Sequence, residues 1–261
     1  MQKTPVMVDP AAFPDRFRPL LQGAKVYDSS CSRAAKVYFI DRAGGLYLKT
    51  AGKGTLAREA EMTAFFHGKG LAARVLAYES LAADWLLTER IPGEDCIYPD
   101  YLADPKRLCD TTAQLLRMLH EQDPVGCPVP DRTAEYLQTA RQNYARGTYD
   151  RSQFPDSFGY ASAEAAWQVV EESAQLLQAD TLLHGDYCLP NILLDNWRFS
   201  GFIDLDSGGV GDRHVDLFWG IWTLQFNLKT DRYTERFLDA YGRDRVDARL
   251  LHTVAAVEVF G

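Results

Sequence analysis

Between residues 182 and 216 the pattern of apolar and polar positions predicts a β-hairpin. Two short apolar runs, Ile192–Leu194 and Phe199–Ile203, are separated by the dipeptide Asn196-Trp197, which marks a tight turn. A hairpin folds the chain back on itself. We therefore expect the residues that flank its two arms to lie close together.

Three polar residues flank this hairpin. Asp186 and Asn191 precede the first arm, and Asp204 follows the second. Magnesium takes hard oxygen ligands, commonly one or two carboxylates together with phosphate oxygens and water, so Asn191 and Asp204 are candidate metal ligands. Asp186 is the candidate catalytic residue, because it remains available to orient an attacking hydroxyl. Protein kinases divide phosphoryl transfer among the same types of group, although their HRD and DFG spellings are absent here.

The N-terminal part of the chain has the pattern of an antiparallel sheet with one helix. Small and glycine residues at 42–45 form a turn between the first two strands, and the helix spans Thr55–Gly68. The predicted strands are Lys36–Ile40, Leu46–Lys49, Arg74–Tyr78 and Trp85–Thr88.

Small residues directly before the first strand form a candidate phosphate-binding turn. Ser30 and Ser32 lie there, and such a turn can direct backbone N–H groups at phosphates. The segment lacks the G-x-G-x-x-G pattern of protein kinases, so an ordinary polar hairpin loop remains the alternative.

Lys49, at the end of the second predicted strand, is a candidate phosphate contact. In kinases a strand lysine contacts the phosphates and pairs with a helix glutamate. The helix that follows offers two glutamates, Glu59 and Glu61, each sharing a face with apolar residues. Helical spacing does not choose between them.

The C-terminal part is predicted to be mainly helical. Asp104-Pro105 begins a helix that ends near His120, and further helices span Thr133–Tyr144 and Ala161–Leu177. Asp216 opens an apolar helix and is expected to cap it or to anchor the catalytic loop. The glycines between 208 and 211 predict a flexible loop. We interpret His120 and His184 as structural, with His184 bracing the loop backbone.

Composition narrows the possible functions of this 261-residue chain. Net charge is −8, which argues against a nucleic-acid binder and leaves a cationic small molecule as a possible partner. The five cysteines include no CxxC pair and suggest reduced thiols in a cytoplasmic protein. The first residues contain no apolar h-region, so no signal peptide is expected, and no apolar run predicts a membrane span. A monomer or weak dimer is expected.

The compound motif resembles the aminoglycoside phosphotransferases, in particular the 3'-hydroxyl (kanamycin kinase) branch. It comprises HGD at His184, an asparagine five residues after Asp186, the hairpin, G-F-I-D ending at Asp204, and D-R-x-x-D ending at Asp216. The resemblance implies a two-lobed α+β fold like that of protein kinases. Its N-terminal nucleotide-binding lobe would span 1–90, and a larger, mainly helical catalytic and substrate-binding lobe would span 91–261.

The resemblance also implies an activity and a donor site. The γ-phosphoryl group of ATP or GTP, bound with Mg²⁺, would move to a hydroxyl of an aminoglycoside antibiotic, in this branch the 3'-hydroxyl, and so confer resistance. It favours Glu59 as the partner of Lys49. It also places Thr88 and Arg90 of the interlobe linker at the nucleotide base.

The substrate site departs from the pattern of this branch. Ser207 stands where the branch has an arginine, and Asn227 stands where it has an acidic helix residue. Glu258 matches the terminal glutamate that helps to hold the antibiotic. Within residues 121–160, Asp150 and Asp156 are candidate acidic residues for binding the substrate.

The sequence is also compatible with three other functions. A metabolite kinase of the same fold, acting on choline, a sugar or homoserine, would share every catalytic residue. A nucleotide-binding pseudokinase would typically lack a lysine, asparagine or aspartate of the set, and all are present here. A metallohydrolase would need further histidine or aspartate ligands, and His214 is the only additional histidine in the stretch.

Overall fold

The computed structural model describes residues 3–32, 34–149 and 160–261. By packing, the chain forms two compact units. The first contains Met1–Tyr98 and Pro190–Asp206, and the second contains Pro99–Leu189 and Ser207–Gly261. These boundaries differ from the single predicted boundary after residue 90, because the hairpin that follows residue 190 packs with the N-terminal segment.

The strands and helices that the hydrophobic pattern predicts occur in the predicted order, and the structure adds others that the pattern did not predict. The strands are β1 (Thr4–Pro5), β2 (Lys25–Asp28), β3 (Ala35–Asp41), β4 (Leu46–Gly52), β5 (Val75–Ser80), β6 (Ala83–Glu89), β7 (Glu94–Asp95), β8 (Thr181–Leu183), β9 (Ile192–Asp195), β10 (Arg198–Phe202) and β11 (Gly209–Gly211). The helices are α1 (Arg18–Leu21), α2 (Ala57–Gly68), α3 (Pro99–Leu102), α4 (Pro105–His120), α5 (Arg132–Arg146), α6 (Ala163–Ser173), α7 (His214–Leu228), α8 (Thr234–Tyr241) and α9 (Ala248–Glu258).

The first unit is built on an antiparallel sheet with the strand order β1-β2-β3-β4-β6-β5. Side chains alternate between the two faces of a strand. Ile40 and Leu48 therefore join a buried core on one face, and Lys49 projects from the other. Lys49 pairs with Val37 and Leu86 in the middle of β4, so the prediction that it ends its strand was wrong. The apolar pattern does not mark the strand end, because residues 50–52 continue the ladder.

Helix α2 is held to the sheet by a residue that is distant in sequence. The N-cap residue Leu56 has no capping side chain of its own. Asp84 of β6 supplies the acceptor instead: its Oδ2 accepts hydrogen bonds from the Leu56 backbone N–H and the Tyr78 hydroxyl, both at 2.9 Å. An acceptor at this position satisfies one of the N–H groups that a helix start leaves without an intrahelical partner. Met62 and Phe66 then bury the inner face of the helix.

The predicted hairpin is present and belongs to the first unit. Strands β9 and β10 pair from Asp195–Arg198 to Ile192–Phe202. Asn196 and Trp197 both have positive φ, 51° and 67°, which is the conformation of a type I' hairpin turn. Strand β7 extends this small sheet on the other side of β9. Gly93 precedes it, where a Cβ would lie 2.1 Å from the Leu194 carbonyl oxygen.

The second unit is mainly helical, with the two-stranded pair β8–β11. Asp104 caps α4 by accepting a hydrogen bond from the Arg107 N–H at 3.2 Å, which confirms the predicted helix start. The predicted flexible glycine loop was wrong, because Gly209–Gly211 is a buried strand. A Cβ on Gly211 would lie 2.7 Å from Leu183, so this glycine permits close packing rather than motion.

No helix in the described part of the chain is both long enough and apolar enough to cross a membrane.

Candidate active site

Lys49 lies between two carboxylates in the first unit. Its Nζ is 2.8 Å from Oε2 of Glu59 and 2.8 Å from Oδ1 of Asp204. The three residues come from β4, from the first turn of α2 and from the segment after β10. Glu59 is buried whereas Glu61 is exposed, and this difference decides which glutamate pairs with the lysine.

The two carboxylates keep Lys49 charged. Burial by itself would lower the pKa of Lys49, but the negative charges of Asp204 and Glu59 outweigh it and raise the pKa above its ordinary value. Half of the Asp204 side chain remains exposed, while Glu59 is almost fully enclosed. Glu59 therefore holds the Lys49 ammonium beside the Asp204 carboxylate, which is exposed enough to contact a ligand.

Asn191 and Asp204 lie at the same end of the hairpin. The Ile203 N–H donates to the Asn191 carbonyl oxygen at 3.1 Å, and Asp204 follows Ile203 directly. Asp204 has a left-handed φ of 56°, which turns the chain away from the ladder at this point. The hairpin therefore places Asn191 and Asp204 at one of its ends, as predicted for these two residues; that Asp186 joins them stays a prediction.

This donor set fits magnesium of the kind that binds with nucleotides. One amide oxygen and one carboxylate come from the protein, and such a site leaves its other positions to phosphates and water. The described residues form no group of three or more histidine, cysteine, aspartate or glutamate side chains that could hold a metal alone. The ring of His214 makes its contacts within the second unit, because its Nδ1 donates to Asp212 and its Nε2 accepts from the Asp247 N–H.

Asp186 lies in the second unit, on a loop whose backbone N–H groups donate hydrogen bonds to the side chains of His184 and Asp216. The Asp186 N–H donates to Nδ1 of His184 at 3.3 Å. Asp216, which is fully buried, accepts the His184 N–H at 2.7 Å and the Gly185 N–H at 2.8 Å. The structural interpretation of His184 and the anchoring prediction for Asp216 both agree with these contacts.

His120 continues this anchor into the helical core. Its Nε2 donates to Asp216 at 3.2 Å, and its Nδ1 accepts from the Tyr241 hydroxyl at 2.8 Å. Burial lowers the pKa of His120 and favours the neutral ring, against the opposing effect of the Asp216 carboxylate. The residue is structural, as predicted, although the sequence contains no signal for its partners.

The loop that carries Asp186 also requires a glycine. Gly185 has a φ of +82°, and a Cβ there would lie 1.9 Å from the Ser207 carbonyl oxygen. The same carbonyl accepts a hydrogen bond from Nε of Arg132 at 2.9 Å. The backbone carbonyl of Ser207 therefore packs directly against the loop at Gly185, where only glycine leaves room for it.

Glu258, the candidate substrate residue near the C-terminus, is held by two aromatic donors. Its Oε1 accepts from the Tyr136 hydroxyl at 2.8 Å and from the Trp219 indole N–H at 3.1 Å. Burial raises the pKa of Glu258 to about 7, against the two hydrogen bonds, and the charge of Asp186 adds to the increase. Tyr136 and Trp219 were not identified from the sequence, because nothing in their local pattern indicates a partner more than thirty residues away.

The remaining predicted residues are less clearly directed at a ligand. Asn227 donates to the Thr223 carbonyl of its own helix at 2.8 Å. Ser30 accepts from the Val37 N–H at 2.9 Å and donates its own N–H to Asp28 at 3.0 Å, so its polar groups are already used within the loop.

Along the predicted linker, Thr88 pairs with Tyr47 and shares the sheet face of Lys49. The Arg90 N–H donates to the Gly45 carbonyl oxygen at 3.0 Å. Ser32 is exposed. Asp150 and Asp156 lie outside the described residues.

The sequence is similar to those of known phosphotransferases. A model of the phosphotransferase enzyme family matches residues 29–251. A probable aminoglycoside 3'-phosphotransferase of Lactococcus lactis is 51% identical over 250 residues, covering 95% of each chain. An aminoglycoside 3'-phosphotransferase of Niallia circulans is 31% identical over 194 residues, covering 74% of each chain.

A solved structure extends the likeness to the fold. The crystal structure of a type VIII aminoglycoside 3'-phosphotransferase superposes with a TM-score of 0.73 at 26% identity, covering 96% of each chain. An aminoglycoside phosphotransferase of Streptomyces rimosus in complex with ADP and streptomycin superposes with a TM-score of 0.69 at 22% identity, covering 98% of this chain and all of the other. The predicted α+β fold of the protein-kinase type is thereby confirmed.

Proposed function

The chain belongs to the phosphotransferase enzyme family, and from that premise we propose that it transfers the γ-phosphoryl group of a nucleoside triphosphate to the 3'-hydroxyl of an aminoglycoside antibiotic. Such a modification confers resistance to the antibiotic. The geometric observation that carries the proposal is the position of Lys49 between Glu59 and Asp204. Support for the substrate class comes from relatives named as aminoglycoside 3'-phosphotransferases, one of them 51% identical.

On the donor side, Lys49 positions the nucleotide phosphates and Glu59 holds the lysine in place. The 2.8 Å contacts give Lys49 a fixed direction, since a flexible side chain is restrained from two sides. Thr88 and Arg90 are proposed to lie at the base, with Ser30 and Ser32 in the loop near the phosphates. ATP and GTP are both candidate donors.

Asn191 and Asp204 would hold Mg²⁺. The ion, when bound, neutralises charge on the transferring phosphoryl group. Asp204 suits this role because its side chain is half-exposed. Before a nucleotide is present, the adjacent Lys49 ammonium balances the negative charge of this carboxylate. Phosphoryl transfer leaves little covalent chemistry to the protein, so positioning and charge are its main contributions.

On the acceptor side, Asp186 orients the hydroxyl and takes its proton. Little base strength is needed, because the transition state is loose and the proton leaves late. The loop geometry set by Gly185 and Asp216 fixes the direction of this carboxylate. Glu258 is proposed to attract an ammonium of the substrate, and Asn227 to line the same region together with Asp150 and Asp156.

The decisive experiment is a coupled nucleotide-turnover assay with Mg²⁺, ATP or GTP, and a panel of acceptors. Kanamycin and neomycin test the 3'-hydroxyl, streptomycin tests another position, and choline and homoserine test the metabolite-kinase alternative. Turnover with kanamycin or neomycin and with neither metabolite is expected. Activity confined to choline or homoserine would overturn the aminoglycoside assignment.

The variant Asp186→Ala tests the catalytic residue in the same assay. Turnover should fall by at least about 100-fold, while nucleotide binding measured by calorimetry stays within about twofold of the unmodified protein. Asp244→Asn, on an exposed carboxylate, is the matched control and should change neither quantity. Near-normal turnover by Asp186→Ala would rule out the assigned role.

A further inference from the structure

Three aromatic side chains form a continuous row along one face of α7. Trp219, Trp222 and Phe226 follow each other at spacings of three and four residues, which places them on the same helical face. The ring centroids of Trp219 and Trp222 are 5.4 Å apart, and those of Trp222 and Phe226 are 5.0 Å apart with nearly parallel planes. We call these three residues the aromatic row.

The aromatic row lies on a partly exposed face of α7, not on the face that packs into the second unit. Val215, Leu217 and Leu224 bury the inner side of α7 in the second unit, whereas Phe226 is 54% exposed. The two tryptophans are half-buried. Large apolar side chains grouped at a surface indicate a binding site more often than single exposed residues do.

Both ends of the aromatic row carry groups that suit a cationic ligand. At one end, the Trp219 indole N–H contacts Glu258, a carboxylate that also lies within the electrostatic influence of Asp186. At the other end, the ammonium of Lys229 lies 4.2 Å from the centroid of the Phe226 ring. A cation over an aromatic face is attracted by the electron-rich face of the ring quadrupole. The aromatic row therefore extends from the Glu258 carboxylate to the Phe226 ring, which is already in contact with the Lys229 ammonium.

Size argues for a small molecule instead of a protein partner. A stable protein interface buries about 800 Å² on each partner, whereas one aromatic side chain supplies about 150–250 Å². Three rings, two of them already half-buried, cover too little area for such an interface. They match the size of one or two sugar rings.

We propose that the aromatic row is part of the acceptor site and binds a ring-shaped, multiply cationic substrate such as an aminosugar or aminocyclitol. The apolar C–H groups of the ligand ring pack against Trp222 and Phe226. One substrate ammonium replaces that of Lys229 over Phe226, and another is held by Glu258. This inference rests on the proposed function. Asn227 is uncharged and stands where the branch has an acidic residue, so the aromatic row would supply part of the attraction for the substrate cations in its place.

Two substitutions with opposite expected effects test the proposal. Phe226→Leu keeps an apolar side chain but removes the ring, so the KM for kanamycin should rise about tenfold. Lys229→Gln removes the competing cation, so the KM for kanamycin should fall. In both variants kcat, the KM for the nucleotide and the melting temperature should stay unchanged. Leu81→Ala is the control, because Leu81 is exposed to a similar extent in the first unit.

A KM for Phe226→Leu within twofold of the unmodified protein would overturn the proposal. The proposal would also fail if Phe226→Leu changed the molar mass measured by light scattering without changing the KM, since the row would then be an interface between protein chains.

Calorimetric titration of kanamycin into the ADP-bound protein separates this inference from the proposed function. Binding that weakens in Phe226→Leu, in a protein that transfers no phosphate to any aminoglycoside, would refute the proposed function and support the row as a ligand site. Absence of binding to the unmodified protein would refute both.

Discussion

The carboxylate of Asp216 accepts the backbone N–H of Gly185 at 2.8 Å, one residue before the proposed catalytic aspartate. The neighbouring His184 N–H reaches the other oxygen of the same carboxylate. A fully buried side chain on α7 thus sets the path of the catalytic loop, which otherwise has no regular secondary structure to hold it. Anchoring of this kind holds a reacting group within the narrow tolerance that transfer requires.

Asp216→Asn should weaken both the loop and the fold. The amide offers one acceptor oxygen, so one of the two backbone N–H groups loses its partner at a cost of about 1–3 kcal/mol. A decrease in melting temperature of several degrees is expected, together with a lower kcat at an unchanged KM for the nucleotide. Differential scanning calorimetry and steady-state kinetics measure these quantities. Unchanged kcat in a destabilised variant would show that Asp216 supports folding alone.

Glu59→Gln should impair the donor site specifically. Removing this charge leaves Lys49 paired with Asp204 alone, so the lysine is drawn towards the proposed metal ligand. The KM for the nucleotide should rise about tenfold, with a smaller effect on the KM for the acceptor. Glu61→Gln, two residues away on the exposed side of the same helix, provides the comparison and should behave like the unmodified protein. Equal effects of the two variants would contradict the assignment.

The ionisation of Glu258 should make acceptor binding depend on pH. Because burial raises its pKa to about 7, the carboxylate that attracts an ammonium becomes populated as the pH rises through neutrality. The KM for kanamycin should fall by about tenfold between pH 6 and pH 8. Glu258→Gln should remove this dependence, and kinetics across that range would reveal it. A profile that persists in Glu258→Gln would assign the titration to another group, for example to the substrate amines.

The same group affects stability in the opposite direction. Its folded-state pKa lies above the ordinary value of 4.5, so the folded protein binds a proton more tightly than the unfolded chain in this window. The free energy of unfolding contributed by Glu258 should therefore fall as pH rises from about 4.5 to about 7. Urea unfolding of the unmodified protein and of Glu258→Gln at several pH values tests this sign.

Asp84→Ala should destabilise the first unit. Burial alone would raise the pKa of Asp84, but hydrogen bonds from the Gly54 and Leu56 backbone and from the Ser80 and Tyr78 hydroxyls lower it to about 2. Removing the acceptor should reduce the free energy of unfolding by about 2 kcal/mol. The contribution is present above about pH 4 and lost as the pH falls towards 2, because a lowered pKa favours the charged form in the folded state. Denaturant titration at pH 7 and pH 3 should show a smaller difference at the lower pH.

Local patterns in the sequence determined much of this protein. The hairpin follows from two apolar arms and a turn, and a turn of that type constrains the strands directly beside it. The start of α4 follows from Asp104, whose side chain caps the helix only three residues away. Spacing around the hairpin placed Asn191 and Asp204 at one end of it. Each of these interactions spans a few residues, so the sequence carries the information locally.

Tertiary structure decided the partners that local spacing leaves open. Helical spacing did not choose between Glu59 and Glu61, and burial beside Lys49 selects Glu59, the residue that the resemblance favoured; the sheet places Lys49 within β4 instead of at its end. It also converted an expected flexible glycine loop into the buried strand β11.

The same holds for the contacts that support the proposed catalytic and substrate residues. Asp216 reaches the loop thirty-one residues before it, and Tyr136 reaches Glu258 across 122 positions. Periodicity reports which face of an element is apolar, but it contains no information on which distant element that face will meet. Those pairings arise only when the whole chain packs, because the free energy that selects them is shared among all the contacts of the folded core.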